Sequence, residues 1–162
     1  MIVRFARPQD LPRLIEIFNQ SVSARSTAVL EAVTVEDKQS WFDEHTREQF
    51  PILVAESESK VLGYLYISPY RPGRSALIHT AEVSYFVDFN HHNKGVASRL
   101  MEDCLKKCHS LGIKTLFAIL LETNISSVNL LKKYGFDQWA HFPGVAEIDG
   151  VEVSQVYFGR KV

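Results

Sequence analysis

The stretch "VSYFVDFNHHNKGVASRLMEDCLKK", Val83–Lys107, decides how this chain is read. Its first part carries the β-favouring side chains Val83, Tyr85 and Val87. It belongs to a longer strand candidate, "ALIHTAEVSYFVDF" (76–89). Further on, Val96, Leu100, Cys104, Leu105 and Cys108 fall on one helical stripe, and Gly112 closes that helix as a C-cap. Between strand and helix lies "HHNKGVAS", His91–Ser98. A strand, a glycine turn and a helix start form a ready anion site, because the first helical turn has unpaired N–H groups and the positive end of the dipole. Asn93, Lys94, Gly95, Val96 and Ala97 bring consecutive N–H groups to that position. Gly95 lets a phosphate approach without a Cβ in the way, Ala97 and Ser98 are small, and Lys94 adds charge. The same pattern also serves as a plain strand–helix connector, and this segment alone leaves the two readings level.

Outward from the turn, the patterning predicts the remaining elements. "IVRFA" (2–6) reads as a strand. Leu11, Leu14, Ile15, Phe18 and Val22 have helical spacing, with Asp10 as N-cap and Pro12 tolerated in the first turn. Thr34 caps a second helix, "VEDKQSWFDEHTRE" (35–48), and "ILVAES" (52–57) and "KVLGYLYIS" (60–68) are strands joined by a polar turn. After the central helix, "IKTLFAILL" (113–121) is a continuous apolar run expected of a buried strand. "NISSVNLLKKYG" (124–135) is an amphipathic helix ended by Gly135. "FDQWAHFPGVAEIDGVEVSQVYFGRK" (136–161) gives two strands turning at Asp149-Gly150. The order β-α-α-β-β-β-α-β-α-β-β predicts one α/β (α+β) domain over 1–162, a mixed sheet flanked by helices.

Composition narrows the function classes. The 162 residues are 46% hydrophobic and 23% charged with a formal net charge of -1, the balance of a globular protein without a polyanion-binding surface. Nucleic acid is not an expected partner. No apolar run reaches the length of a membrane span, and "MIVRFARPQD" lacks the features of a signal peptide, so a cytoplasmic protein is expected. The two cysteines, Cys104 and Cys108, form no disulfide framework and, with His109, match no common zinc spacing, so no metal site is expected. Neither a Rossmann fingerprint nor a P-loop is present.

His92-Asn93-Lys94-Gly95-Val96-Ala97 resembles the acetyl-CoA motif [QR]-x-x-G-x-[GA] of the GCN5-related N-acetyltransferase (GNAT) superfamily, with His92 departing from the first position. The superfamily's later pattern, Asn, a short helix, then Gly-Phe, is similar to "NISSVNLLKKYGF" (124–136). "IFNQSV", "FPILVAE", "VLGYLYISPYR" and "HTAEVSYFV" together resemble the phosphinothricin acetyltransferase-like branch, and the likeness covers nearly the whole chain. It implies a mostly antiparallel central sheet flanked by about four helices, its strands splayed at the acetyl-CoA site. It implies an acetyl-CoA-dependent N-acetyltransferase acting on the primary amine of a small amino-acid-like acceptor, of phosphinothricin, methionine sulfone or sulfoximine type, and a homodimer. Other acceptors (a polyamine, an aminoglycoside-like drug, a protein N-terminus) and a non-catalytic acyl-CoA sensor are the alternatives.

The resemblance also assigns residues. The backbone from His92 to Ala97 takes the pyrophosphate, Tyr85, Phe86 and Val87 line the pantetheine arm, and Asn124 and Ser127 lie near the cofactor. Asn124 also reads as a plain helix cap. Glu82, a carboxylate in an apolar strand, is costly to bury unless paired or hydrated. Taken alone it reads as an outward-facing strand residue; at the "T-x-E-x-S" position of the branch it is the proposed base. His79 and Thr80 are its candidate neighbours. Arg71 and Arg74 in "YRPGR" match a loop at the acceptor pocket, where a guanidinium fork suits a carboxylate, or else they are solvated. Asn19, Thr27 and Glu31 lie in the segment that covers the acceptor, with Phe18, Trp41 and Tyr66 as pocket walls or core. The position of the usual acid for the leaving thiolate falls on Leu131, which has none to offer.

Overall fold

A computed structural model describes residues 1–162. Its elements run in the expected order: β1 (Ile2–Phe5), α1 (Leu11–Ser23), α2 (Val35–Glu44), β2 (Ile52–Ser57), β3 (Lys60–Pro69), β4 (Thr80–Val87), α3 (Val96–Cys108), β5 (Thr115–Leu121), α4 (Ile125–Lys133), β6 (Asp137–Ile148) and β7 (Val151–Lys161). One seven-stranded sheet has the order β1-β2-β3-β4-β5-β7-β6. Neighbours pair antiparallel except β4 and β5, which are joined through α3 and run parallel. That parallel pairing is short: Thr80, Ala81 and Glu82 face Thr115, Leu116 and Phe117, and beyond them the strands part. No helix is long and apolar enough to cross a membrane.

Strand alternation sends side chains to two faces. On one, Leu53, Ala55, Leu65, Ile67, Ala81 and Val83 meet Leu100, Met101, Cys104 and Cys108 of α3 and Leu131 of α4. On the other, Val54 and Tyr64, with Tyr66 and Phe86, meet Leu14 and Ile17 of α1. Each fully buried aliphatic side chain of this kind contributes roughly 1.5–3 kcal/mol relative to an exposed one. Asp149 and Gly150 both take positive φ, 50° and 81°, the conformation a tight hairpin between β6 and β7 needs.

Thr34 caps α2 as expected, accepting from Asp37 N–H at 3.1 Å while Asp37 accepts from Thr34 N–H at 2.8 Å. Four boundaries differ from expectation. Asp10 does not cap α1. It closes a 3₁₀ turn by accepting from Arg7 N–H at 2.7 Å, and it pairs with Arg4 at 2.7 Å. The second helix stops at Glu44 instead of running to 48, because His45 is extended and its Nδ1 lies 2.6 Å from the Trp41 carbonyl at the helix end. β4 starts only at Thr80, after a 3₁₀ turn at Ser75–Leu77, and ends at Val87, where Asp88 starts another. α3 ends at Cys108 with His109 as its cap, and Gly112, φ 70°, closes the turn that follows.

Candidate active site

The turn after β4 is anchored from below by a buried acid. Asp88 is 2% exposed. It accepts from Asn90 N–H at 2.9 Å, lies 3.0 Å from His91 Nδ1, and pairs with Arg13 of α1. Burial works to raise its carboxyl, but the hydrogen bonds from His91, Arg13 and the Asn90 amide hold it well below the usual range. Gln20 of α1 adds a second tie, accepting from Phe89 N–H at 2.9 Å. The His92 ring meets the Phe89 ring edge-on at 4.7 Å, and its Nε2 lies 3.1 Å from the Val87 carbonyl. So the paired histidines brace the turn instead of forming a metal site, and no group of three His, Cys, Asp or Glu side chains is placed to hold a metal ion.

These ties leave the next amides free. Asn93 and Gly95 take positive φ, 58° and 79°, and no backbone or side-chain acceptor serves the N–H groups from Asn93 to Ser98. A Cβ built on Gly95 would meet nothing within 4 Å. The amides open onto a cavity of about 390 Å³ between the end of β4, the start of α3, the start of α4 and the end of α1. No carboxylate lines it. Consecutive free amides at a helix N-terminus, in a cavity without acids, make an anion cradle.

Of the residues assigned to the cofactor, Tyr85, Phe86, Val87, His92, Asn93, Gly95, Val96, Ala97, Ser98, Asn124 and Ser127 line this cavity. Phe86 turns its ring away, toward Phe18 at 5.0 Å and Tyr64 at 5.4 Å. Lys94 is not brought in: its Nζ folds back to the Asn90 carbonyl at 2.9 Å. Asn124 caps α4, accepting from Ser127 N–H at 3.2 Å, and its amide group also reaches the Ser26 carbonyl at 3.4 Å. Cap and cavity wall are thus one residue. Ser21, Ser26, His91, Ser126 and Leu130 line the cavity without having been singled out. Ser126 and Leu130 follow from helical spacing beside Asn124 and Ser127, and His91 adjoins His92; Ser21 and Ser26 come from a distant segment and leave no local signal.

Glu82 stands where β4 and β5 part, opposite Ser68 and Phe117. It is half-buried, has no hydrogen-bond partner, and burial raises its carboxyl. It is thus not a fully solvated strand residue. Tyr66 and Tyr157 are near it: burial raises both phenols, and the Glu82 charge raises them further. Tyr70, Trp139 and Tyr157 surround Phe117 at 4.8, 5.4 and 6.0 Å, forming an aromatic wall beside the carboxylate. Arg71, at φ 51°, sits close enough to Tyr157 for its charge to act on that phenol. The side chains of Arg74 and Glu31 are exposed and make no hydrogen bond or ion pair, so nothing draws them to Glu82; the Arg74 carbonyl accepts from Leu77 N–H at 2.9 Å. His79 is tied to the Gly112 carbonyl at 2.7 Å, so it is structural. Leu131 is fully buried in the main core, and the Tyr134 hydroxyl donates to Glu102 at 2.8 Å.

Free amides at one end of a wedge between parallel strands, with an unpaired carboxylate at the apex, make a site suited to a phosphorylated ligand. Residues 12–136 match the Acetyltransferase (GNAT) family. The chain is 38% identical over 164 residues to "Putative phosphinothricin acetyltransferase YwnH" of Bacillus subtilis (strain 168), covering 100% of this chain and 99% of that protein. It is 29% identical over 148 residues to the L-methionine sulfoximine/L-methionine sulfone acetyltransferase of Pseudomonas aeruginosa, strain PAO1, covering 90% and 85%. A solved structure, "Crystal structure of a putative phosphinothricin N-acetyltransferase", superposes with a TM-score of 0.92 at 37% identity, covering 99% of this chain and 97% of that one. The chain belongs to the acetyltransferase (GNAT) family, and its mixed, mostly antiparallel sheet with four flanking helices is the fold the resemblance implied.

Proposed function

We propose that this acetyltransferase moves the acetyl group of acetyl-CoA to the primary amine of a small amino-acid-like acceptor, of the phosphinothricin, methionine sulfone or methionine sulfoximine type, by direct attack in a ternary complex. The observation that carries the reading is the run of free amides from Asn93 to Ser98 at the open end of the β4–β5 wedge, with Glu82 at its closed end. The cradle suits a pyrophosphate. Beyond Glu82, β4 is paired only on its β3 side, so its other backbone edge is free for an extended arm bearing amides. A backbone N–H of that edge polarises the thioester carbonyl and holds the developing oxyanion.

Glu82 removes the proton that the acceptor ammonium must lose, directly or through one water. Its raised pKa brings it toward the useful range for a base. Arg71 holds the acceptor's carboxylate. The names of the relatives support this acceptor class. A free-thiol release assay with acetyl-CoA tests the reading across amino acids, their sulfone, sulfoximine and phosphinate analogues, polyamines and peptides. Turnover is expected with the analogues; no turnover on any small amine overturns the acceptor assignment.

The whole chain, 1–162, acts as one domain in a homodimer in the cytoplasm. Trp139, Phe142 and Val145 are 46%, 40% and 60% exposed on β6, the edge strand, and offer the face for a second copy. Cys104 and Cys108 are free thiols, which fits a reducing compartment. Sedimentation checks the dimer; a monomer at micromolar concentration refutes it.

A further inference from the structure

The reaction leaves a charged sulfur behind, and the position of the usual acid offers it no donor. Leu131 has no polar side-chain atom and is fully buried, and the Tyr134 hydroxyl donates to Glu102. His91 and His92 sit at the phosphate end, held by Asp88 and the Val87 carbonyl. One phenol remains. Tyr85 lines the cavity from the middle of β4, and its hydroxyl donates to the Ser127 carbonyl of α4 at 3.4 Å.

We propose that the Tyr85 hydroxyl donates a hydrogen bond to the sulfur of the departing CoA thiolate, from the face of β4 opposite Glu82. Alternation supports the arrangement. Val83, Tyr85 and Val87 turn toward the core under α3 and α4, while Glu82 and Phe86 turn toward α1. Glu82 and Tyr85 are about 10 Å apart along the strand. Base and sulfur donor therefore flank the wedge from two sides, and the acetyl carbon lies between them. The amine approaches from one face while the sulfur leaves toward the other.

The hydroxyl is also available. Its partner carbonyl belongs to a helix, where it accepts from the Leu131 amide as well. A long bond to an acceptor already in use is cheap to redirect. Burial pushes the phenol up to about 12, despite the opposing bond to Ser127, so Tyr85 keeps its proton. A CoA thiol ionises near the free-cysteine value of roughly 8.5 and leaves without being protonated. In balance, the N–C bond forms and the C–S bond breaks with its electron pair going to sulfur. The nitrogen loses two protons, one from the ammonium before attack and one as the tetrahedral intermediate collapses; both pass through Glu82 to solvent, and Tyr85 donates a hydrogen bond but transfers nothing.

The inference rests on acetyl-CoA being the donor, and its test separates the two. Bound CoA is titrated by its thiolate ultraviolet absorbance in wild type, Tyr85→Phe and Tyr85→Met, alongside single-turnover kinetics and thermal melting. Wild type is expected to lower the pKa of the bound thiol below that of free CoA, and both variants to return it. Single-turnover rates fall roughly 10–100-fold, in line with loss of one hydrogen bond to a charged group, while acetyl-CoA affinity stays within about twofold. If wild type fails to bind CoA, the proposed donor is wrong. If wild type binds CoA and folded variants keep the wild-type thiol titration, the role of Tyr85 is refuted, whatever happens to affinity.

Discussion

Replacing Gly95 by alanine separates what the backbone costs from what the cradle does. Gly95 has φ 79°, and nothing lies within 4 Å of the Cβ it lacks. The folded state therefore suffers only left-handed strain, about 1–2 kcal/mol. In a domain of this size that is roughly 2–8 °C of melting temperature. Gly150, at the tip of the β6–β7 hairpin, has φ 81° and the same open surroundings. Gly150→Ala should cost the same stability. The difference lies in the open space: at Gly95 it is the space a phosphate occupies. A methyl group there forfeits about one charge-assisted N–H bond, worth about 1.5–3 kcal/mol. That is roughly 10–100-fold in Kd for CoA. Calorimetric titration of CoA into both variants, with melting curves, reads both quantities. Wild-type affinity in Gly95→Ala, or equal weakening in Gly150→Ala, refutes the cradle.

Further outcomes follow from the same geometry. Glu82→Gln should lower kcat by roughly 10²–10⁴-fold while keeping CoA affinity. Wild-type kcat/KM should fall as pH drops through the raised Glu82 pKa. The fold binds the Glu82 proton more tightly than the unfolded chain does, so its contribution to stability is present at acid pH and lost as pH rises through the folded value. Glu82→Gln should therefore melt higher than wild type at neutral pH, with the gap closing below the ordinary carboxylate range; a variant that melts lower at neutral pH contradicts this. His92→Gln keeps a side-chain donor for the Val87 carbonyl and should leave CoA affinity nearly intact; a large loss would mean that the imidazole itself touches the donor. Asp88→Ala leaves Arg13 without its buried partner and should destabilise by about 3–5 kcal/mol in chemical denaturation. An unchanged denaturation midpoint would show that the tie between α1 and the turn carries no strength.

The elements were legible because periodicity and caps agree along most of the chain. The stripe Val96, Leu100, Cys104, Cys108 is a buried helix face, and "IKTLFAILL" is a central strand. The cradle was legible because its parts are adjacent in sequence. What lay hidden depends on distance. Asp88 between Val87 and Phe89 reads as part of a strand end, and nothing local reveals Arg13 and Gln20, which come from α1. The paired histidines brace the turn through Asp88 and the Val87 carbonyl, ties that residue type alone does not announce. Ile78 looked like part of a strand because it is apolar, yet it is 71% exposed on a turn. Arg74 and Glu31 were placed by likeness to relatives, and exposed loop charges are where such likeness is weakest.

The short pairing between β4 and β5 has a consequence for motion as well as for binding. A sheet normally has two edges; this one has two more, facing each other inside the molecule, from the end of the Glu82–Phe117 rung outward. The N–H groups that point into that gap have no strand to protect them. In hydrogen exchange the outer half of β4 should trade its gap-facing amides quickly while its β3-facing amides stay slow, residue by residue along one strand. Binding of the donor should erase that alternation. The protection gained, read amide by amide, would trace the path of the arm through the wedge.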